Sequence, residues 1–274
     1  NYLSVLDEEA PIYNWVSFMT YSRLPFEILK KNQKYFVRSE SEKKIVEKRF
    51  NRKFNNIKVV GHPKFDLLKD PYIKLFQNDA NNIKSTYNKF VFIPLSFIHD
   101  LKGNNQNYQS YLNNTFATSK KLKASYTKSV KQWDLDKKNY INFLQIIYEL
   151  AKKNPEINFI IRPHPTQSLN KIKKRFKSLP HNIKIIYKYT ITPWLKACDY
   201  YLHSHCSSVY EAAILKKKII CFNTLGKKGV NLKVNPGYKF KNRKQLLSFF
   251  SKLEKNKINY NFKKIIINKK NLYN

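Results

Sequence analysis

Three acids stand side by side at Asp7-Glu8-Glu9, directly behind the apolar run Tyr2–Leu6. A carboxylate at the carboxyl end of a strand in an open α/β sheet can serve as base, nucleophile or electrostatic stabiliser. The same residues would also suit an acidic helix start or a solvated loop. A second cluster, Val60-Gly61-His62-Pro63-Lys64-Phe65-Asp66, again follows an apolar run. Gly61 and Pro63 shape a turn, from which Asp66 could point back toward the strand end. A capped helix start is the plainer alternative. In Ile160-Ile161-Arg162-Pro163-His164-Pro165 a guanidinium and an imidazole leave an apolar strand, and two prolines restrict their backbone. Donors held in this way suit a phosphate: Arg162 through its N–H fork, His164 as hydrogen-bond donor or acid.

The fourth cluster runs from Asp199-Tyr200-Tyr201-Leu202-His203-Ser204-His205-Cys206 through Ser207-Ser208 to Glu211. It reads strand, turn, helix. Ser208 and Glu211 have capping-box spacing. Hydroxyls and open N–H groups at a helix start also bind phosphate. His203, His205 and Cys206 invite a metal, but alternation puts the two histidines on one strand face and Cys206 on the other. No second cluster completes a site, so no metal is expected.

These groups need strands that end where the clusters begin. Candidate strands are Tyr2–Leu6, Lys34–Val37, Ile57–Val60, Phe90–Leu95, Ile157–Arg162, Ile183–Tyr187, Tyr200–His203 and Lys218–Phe222. Helical patterns fill Ser41–Phe50, Asn139–Lys153, Leu169–Leu179 and Ser207–Leu215. Alternating strands and helices, with strand cores that are apolar throughout, predict an α/β fold with parallel sheets covered on both faces. Two polar stretches interrupt the pattern. Residues 70–88 read as a domain junction, and 101–118 as a long polar loop, functional or mobile. The expected organisation is an incomplete N-terminal α/β domain over 1–85, a second over 86–255, and a basic tail over 256–274.

Composition narrows the classes. A hydrophobic fraction of 42% excludes a disordered chain. No run of ~20 apolar residues is long enough to span a membrane. Three cysteines exclude a disulfide framework, and a reducing, cytoplasmic setting is expected. The net charge of +35 points to nucleic acid or an anionic membrane surface. The excess is mostly Lys among abundant Asn, Ile and Tyr, the profile of drift toward AT-rich codons. No cofactor is expected. The chain opens at Asn1 without a signal peptide pattern, and upstream sequence is expected.

Taken as an ordered set, Leu6-Asp7-Glu8-Glu9, Gly61-His62-Pro63-Lys64-Phe65-Asp66, Arg162-Pro163-His164-Pro165, Thr192-Pro193-Trp194-Leu195 and Cys198 through Ala212 resemble the bacterial surface carbohydrate biosynthesis proteins. That family is related to transferases of 3-deoxy-manno-octulosonic acid (Kdo). The resemblance implies two Rossmann-like domains facing a cleft, the GT-B arrangement, with the N-terminal domain truncated. It implies a CMP-activated ulosonic acid as donor and a glycan or glycolipid as acceptor. His164, Arg162, Ser207 and Ser208 would hold the donor phosphate, Glu211 would lie near the ribose, and Pro193 and Trp194 near the cytosine. Glu9, Glu8 and Asp66 would supply the catalytic carboxylate, by attack or as a base, and His164 would act on the leaving group. Ala10, His62 and Lys64 depart from the family pattern, a change that bears on acceptor choice. Two other classes remain: an inactive scaffold subunit of glycan assembly, and a nucleic-acid-binding protein suggested by charge alone. The expected location is cytoplasmic, peripheral at the inner membrane.

Overall fold

The computed structural model describes residues 3–6, 33–97, 120–165, 167–176, 178–225, 236–240 and 242–254, with the side chains of 3–6, 33, 49, 120–133 and 254 outside that description. Asp7, Glu8, Glu9, the 101–118 stretch and the 256–274 tail lie outside the described residues. The chain divides into two compact units, one running to Tyr72 and one from Ile73.

The first unit holds three parallel strands in sequential order: β1 (Leu3–Leu6), β2 (Gln33–Val37) and β3 (Ile57–Val59). Helix α1 (Glu40–Phe50) joins β2 to β3. Its first turn is satisfied by side chains. The Ser39 hydroxyl accepts from the Glu42 N–H at 3.1 Å, and the Glu42 carboxylate accepts from the Arg38 N–H at 2.8 Å. It stops at Asn51, whose φ of 49° lies in the left-handed region that Asn tolerates. Tyr35, Val37, Val46, Phe54 and Ile57 form the core. One turn of helix, α2 (Pro63–Asp66), follows β3 with Pro63 at its first position.

The second unit carries the larger sheet. In chain order it has α3 (Gln77–Tyr87), β4 (Phe90–Pro94), α4 (Lys120–Lys153), β5 (Asn158–Arg162), α5 (Leu169–Lys173) and β6 (Ile183–Ile185). Then come α6 (Ile191–Ala197), β7 (Tyr200–His203), α7 (Val209–Ile214), β8 (Lys218–Cys221), β9 (Tyr238–Lys239) and α8 (Arg243–Glu254). All six strands are parallel, in the order β6-β5-β4-β7-β8-β9. Counted from β4, this is the 3-2-1-4-5-6 order of the doubly wound dinucleotide-binding fold.

Both faces of this sheet are covered, which is why its strands are apolar throughout. Val91, Ile93, Phe159, Ile161, Leu202 and Ile220 share one core with α4, α5 and α8. On the other side Trp194 of α6 stacks on Phe92, with ring centroids 5.7 Å apart and planes 5° apart. Helix α3 packs on α6 through buried Ala80 and Ile83. Residues 73–88 thus cluster with the second unit, and the division falls after Tyr72 instead of near 85. Strand β9 has only two residues. Gly237 before it has φ 123°, and a Cβ there would stand 2.7 Å from Ile219 Cγ2.

Candidate functional site

In an open sheet of this order, ligands bind outside the carboxyl ends of the strands where the winding reverses, here between β4 and β7. β5 and β7 flank β4, so their ends stand roughly 10 Å apart across it. Arg162-Pro163-His164 leaves one flank and His203–Ser208 the other. Two of the clusters expected from the sequence thus share one edge.

The turn after β7 is tied down by a buried polar chain. The Thr224 N–H and hydroxyl reach Asn139 Oδ1 at 3.1 and 2.7 Å. A backbone N–H only donates, so the other end of the Asn139 amide is its NH2, which donates to Ser204 Oγ at 2.9 Å. The Ser204 oxygen lies 3.3 Å from His205 Nδ1. His205 Nε2 stands 3.2 Å from Asp136 Oδ1. Where Ser204 donates to Nδ1, the ring proton sits on Nε2, which faces Asp136 Oδ1 at charge-pair distance. Phe97 closes over the His205 ring edge-on at 4.9 Å. Asp136, Asn139, Ser204 and His205 are all buried.

Sequence reasoning missed Asp136, Asn139 and Thr224. The available signal was phase: Asp136, Asn139 and Tyr140 fall in line with the apolar stripe Phe143, Ile147, Leu150 of α4. Replacing Asn139 by Ala is expected to cost about 1–3 kcal/mol in urea unfolding, because it strands donors and acceptors on two loops. Asn139→Asp, which keeps the acceptor for Thr224, should lose less.

Ser208 does not close a capping box. It is the N-cap of α7 without a side-chain cap bond. Its hydroxyl turns inward, 2.7 Å from the Tyr201 phenol and 3.1 Å from Cys206 Sγ. Burial pushes the Tyr201 phenol well above 10 and raises the Cys206 thiol, so both stay protonated. Ser207 is half-buried at the same turn, and Glu211 is buried in the first turn of α7. Helix α7 has only six residues, so its dipole is weak and any anion would be held mainly by local N–H and hydroxyl groups.

Arg162 is half-buried, with Nη2 donating to the Tyr189 carbonyl at 3.0 Å and its guanidinium 5.2 Å over the Tyr187 ring. Its Nε is buried with no partner among the described residues. Burial lowers its pKa below the usual guanidinium range, opposed by Tyr187, Cys206 and Glu211. Arg162 therefore feels both flanks of the edge. His164 is half-buried; its N–H donates to Gln167 Oε1 at 2.8 Å and its carbonyl accepts from the Gln167 N–H, closing the loop after β5. Pro193 and Trp194 are core residues. Trp194 is 1% exposed and its indole N–H donates to the Lys188 carbonyl at 2.7 Å. It braces the 187–189 loop from beneath and offers no face to a base. Tyr187, 48% exposed, does stand at this edge.

In the first unit, Asp66 is exposed and pairs with Lys69 at 2.6 Å. The group buried at that strand end is His62, whose ring lies 4.4 Å from Phe65 and whose Nδ1 has no partner among the described residues. Burial, with Arg38 and Lys64 nearby, lowers its pKa from 6.5 to about 4, so the ring is neutral at pH 7. Among the described residues no group of three or more His, Cys, Asp or Glu could hold a metal, and no helix is long and apolar enough to cross a membrane.

No family model matches the chain, and no curated protein does. Solved structures resemble the chain at low identity. A UDP-GlcNAc 2-epimerase of Methanocaldococcus jannaschii, in complex with UDP-GlcNAc and UDP, is 18% identical over 82% of this chain and 55% of that chain, with a TM-score of 0.47. The wall teichoic acid polymerase TagF is 13% identical over 81% of this chain and 48% of that chain, with a TM-score of 0.46. Anabaena HepE, in complex with UDP and glucose, is 14% identical over 80% and 52%, with a TM-score of 0.38. The chain spans about half the length of each of these proteins.

Proposed function

We propose that the chain belongs to a glycosyltransferase that moves an ulosonic acid, Kdo in the first instance, from CMP onto a surface glycan or glycolipid. The reading rests on the convergence of Arg162-Pro163-His164 with the Ser207 turn at the carboxyl edge of a 3-2-1-4-5-6 sheet. An activated ulosonic acid leaves one phosphate on departure. Cationic and N–H donors fixed beforehand around that phosphate stabilise the leaving group. His164 and Ser207 would contact it directly. Ser208, held by Tyr201 and Cys206, would shape the turn. Arg162 would set the potential and orient Tyr187 beside the base, with Trp194 and Pro193 supporting that loop and Glu211 facing the ribose. Glu8, Glu9 and Asp66 are the carboxylates proposed to activate the acceptor or attack the anomeric carbon. A lipid-linked acceptor would keep the enzyme at the inner face of an anionic membrane.

Calorimetric titration with CMP tests this. His164→Ala and Ser207→Ala should each weaken binding by about 1.5–3 kcal/mol, roughly ten- to a hundred-fold. Unchanged affinity in both variants would sink the proposal, as would preference for UMP over CMP. Product formation from CMP-Kdo separates a transferase from a binding subunit.

A further inference from the structure

We infer that the α4–α5–α8 layer of the second unit is the surface that docks on an anionic lipid membrane. The inference deepens the membrane-peripheral reading above and names its contact face.

Charge is unequal on the two sides of the sheet. Among the described residues, α4 exposes Lys137, Lys138, Lys152 and Lys153, and the α5 region adds Lys171 and Lys173. On α8, Arg243 and Lys244 continue the layer. Acids hardly interrupt it: Asp134 is exposed, and half-buried Glu149 is paired with Arg243. Across the sheet, α3 exposes Gln77, Asn78, Asn81, Asn82, Ser85 and Thr86, all neutral. Its Lys84 is paired with Asp199 at 2.7 Å. Drift in codon usage explains many lysines, and exposed ones also stand at Lys74, Lys89, Lys184, Lys188, Lys216 and Lys218; those of this layer lie together and border exposed apolar surface.

The cationic layer also carries apolar surface. Ile141 is 43% exposed in the middle of α4, and Leu169 is 36% exposed at the start of α5. Beside Ile141 lies a groove of about 270 Å³ lined by Leu144, Gln145, Tyr148, Arg175 and Phe176. Lysine stems can lie along such surface with their ammonium groups at the level of lipid headgroups. A lipid surface meets both features, since phosphates face the cations and glycerol or acyl edges face Ile141 and the groove. A nucleic acid would meet only the first. Tyr148 is half-buried, packed against Phe176 with Lys152 over its ring, so no open face is left for a base.

The test is co-sedimentation with phosphatidylcholine vesicles with and without phosphatidylglycerol, read without nucleotide so that its outcome is separate from the CMP titration. The unaltered protein should bind only the anionic vesicles and be released by salt. Combining Lys137→Glu, Lys138→Glu, Lys153→Glu and Lys173→Glu should lower partitioning roughly a hundred-fold or more. The same charge change placed off the layer, at Lys74, Lys89, Lys184 and Lys216, should lower it far less. If the fourfold layer variant fails to fold, Lys138→Glu alone should still lose roughly ten-fold. Equal losses in the two fourfold variants would overturn the face while leaving membrane binding intact. No binding of the unaltered protein to anionic vesicles would overturn both. Binding to RNA or duplex DNA at physiological salt without vesicle binding would transfer the layer to a nucleic-acid partner and overturn the inference.

Discussion

Trp194→Ala should lose about 3–5 kcal/mol of unfolding free energy, while Trp194→Phe should keep CMP affinity within about three-fold. The indole is 1% exposed and sits in an aromatic cluster. Phe92 stacks on it at 5.7 Å, Phe90 meets it edge-on at 6.2 Å, and Tyr87 and Tyr189 approach at 5.8 and 6.4 Å. Truncation to Ala removes those contacts and opens a cavity between α6 and the sheet, a site with little freedom to collapse. It also strands the Lys188 carbonyl, which the indole N–H satisfies at 2.7 Å. Trp194→Phe retains most of the apolar volume and loses that one donor, for about 1–2 kcal/mol. A base stacked on an aromatic ring is worth about 1–3 kcal/mol, so a Trp in contact with the base would show a clear affinity change in either variant. Urea unfolding and CMP titration on the same preparations decide the matter. Near-normal stability with lost CMP affinity would return Trp194 to the binding surface.

That result bears on how far the sequence alone could be read. Runs such as Phe90-Val91-Phe92-Ile93 and Phe159-Ile160-Ile161 had one physical meaning, strands buried on both faces, and they became β4 and β5. Arg162 and His164 were legible as a strand-end pair because prolines bracket them. Helix α3 was not legible: its buried face within the helix reduces to Ala80 and Ile83 among Asn, Gln and Lys, too little for a periodic signal. Ser208 was read as a cap from spacing. Tyr201 and Cys206 capture its hydroxyl instead, a tertiary effect that local spacing does not contain. Asp136 and Asn139 lie more than sixty residues from the turn they hold, so only their phase on α4 hinted at burial. Trp194 shows the same limit from the other side. A motif can place a residue near a loop without saying whether its ring supports the loop or faces outward.

His203 carries the remaining large effect, a fall in stability below pH 6.5. It ends β7, is 0% exposed, and lies 3.2 Å from the Pro236 carbonyl through Nε2. A carbonyl only accepts, so Nε2 bears the proton and Nδ1 is the bare nitrogen. Nδ1 is buried with no partner among the described residues. Protonation would place a charge and an unpaired N–H in the core beside Tyr201. Burial therefore lowers the pKa from 6.5 to about 3, with His205 and Lys239 adding to the shift and the Pro236 bond opposing it. The unfolded chain takes up the proton from about pH 6.5 downward, whereas the folded chain does so only near 3. Between those values the unfolded state binds more protons, so stability is fully present above pH 6.5 and declines by up to about 1.4 kcal/mol per pH unit below it. In the first unit His62 acts in the same direction down to about pH 4. Urea unfolding at pH 6.5 and pH 5 should show a loss about 2 kcal/mol larger for the unaltered protein than for His203→Phe, which has no group to titrate there. Should that variant not fold, the imidazole proton resonances of His203 provide the same answer, staying at their neutral positions at pH 5 while the fold persists. Parallel pH profiles, or a ring that titrates near 6.5, would mean that the imidazole reaches water and that the core around β7 is looser than its burial indicates.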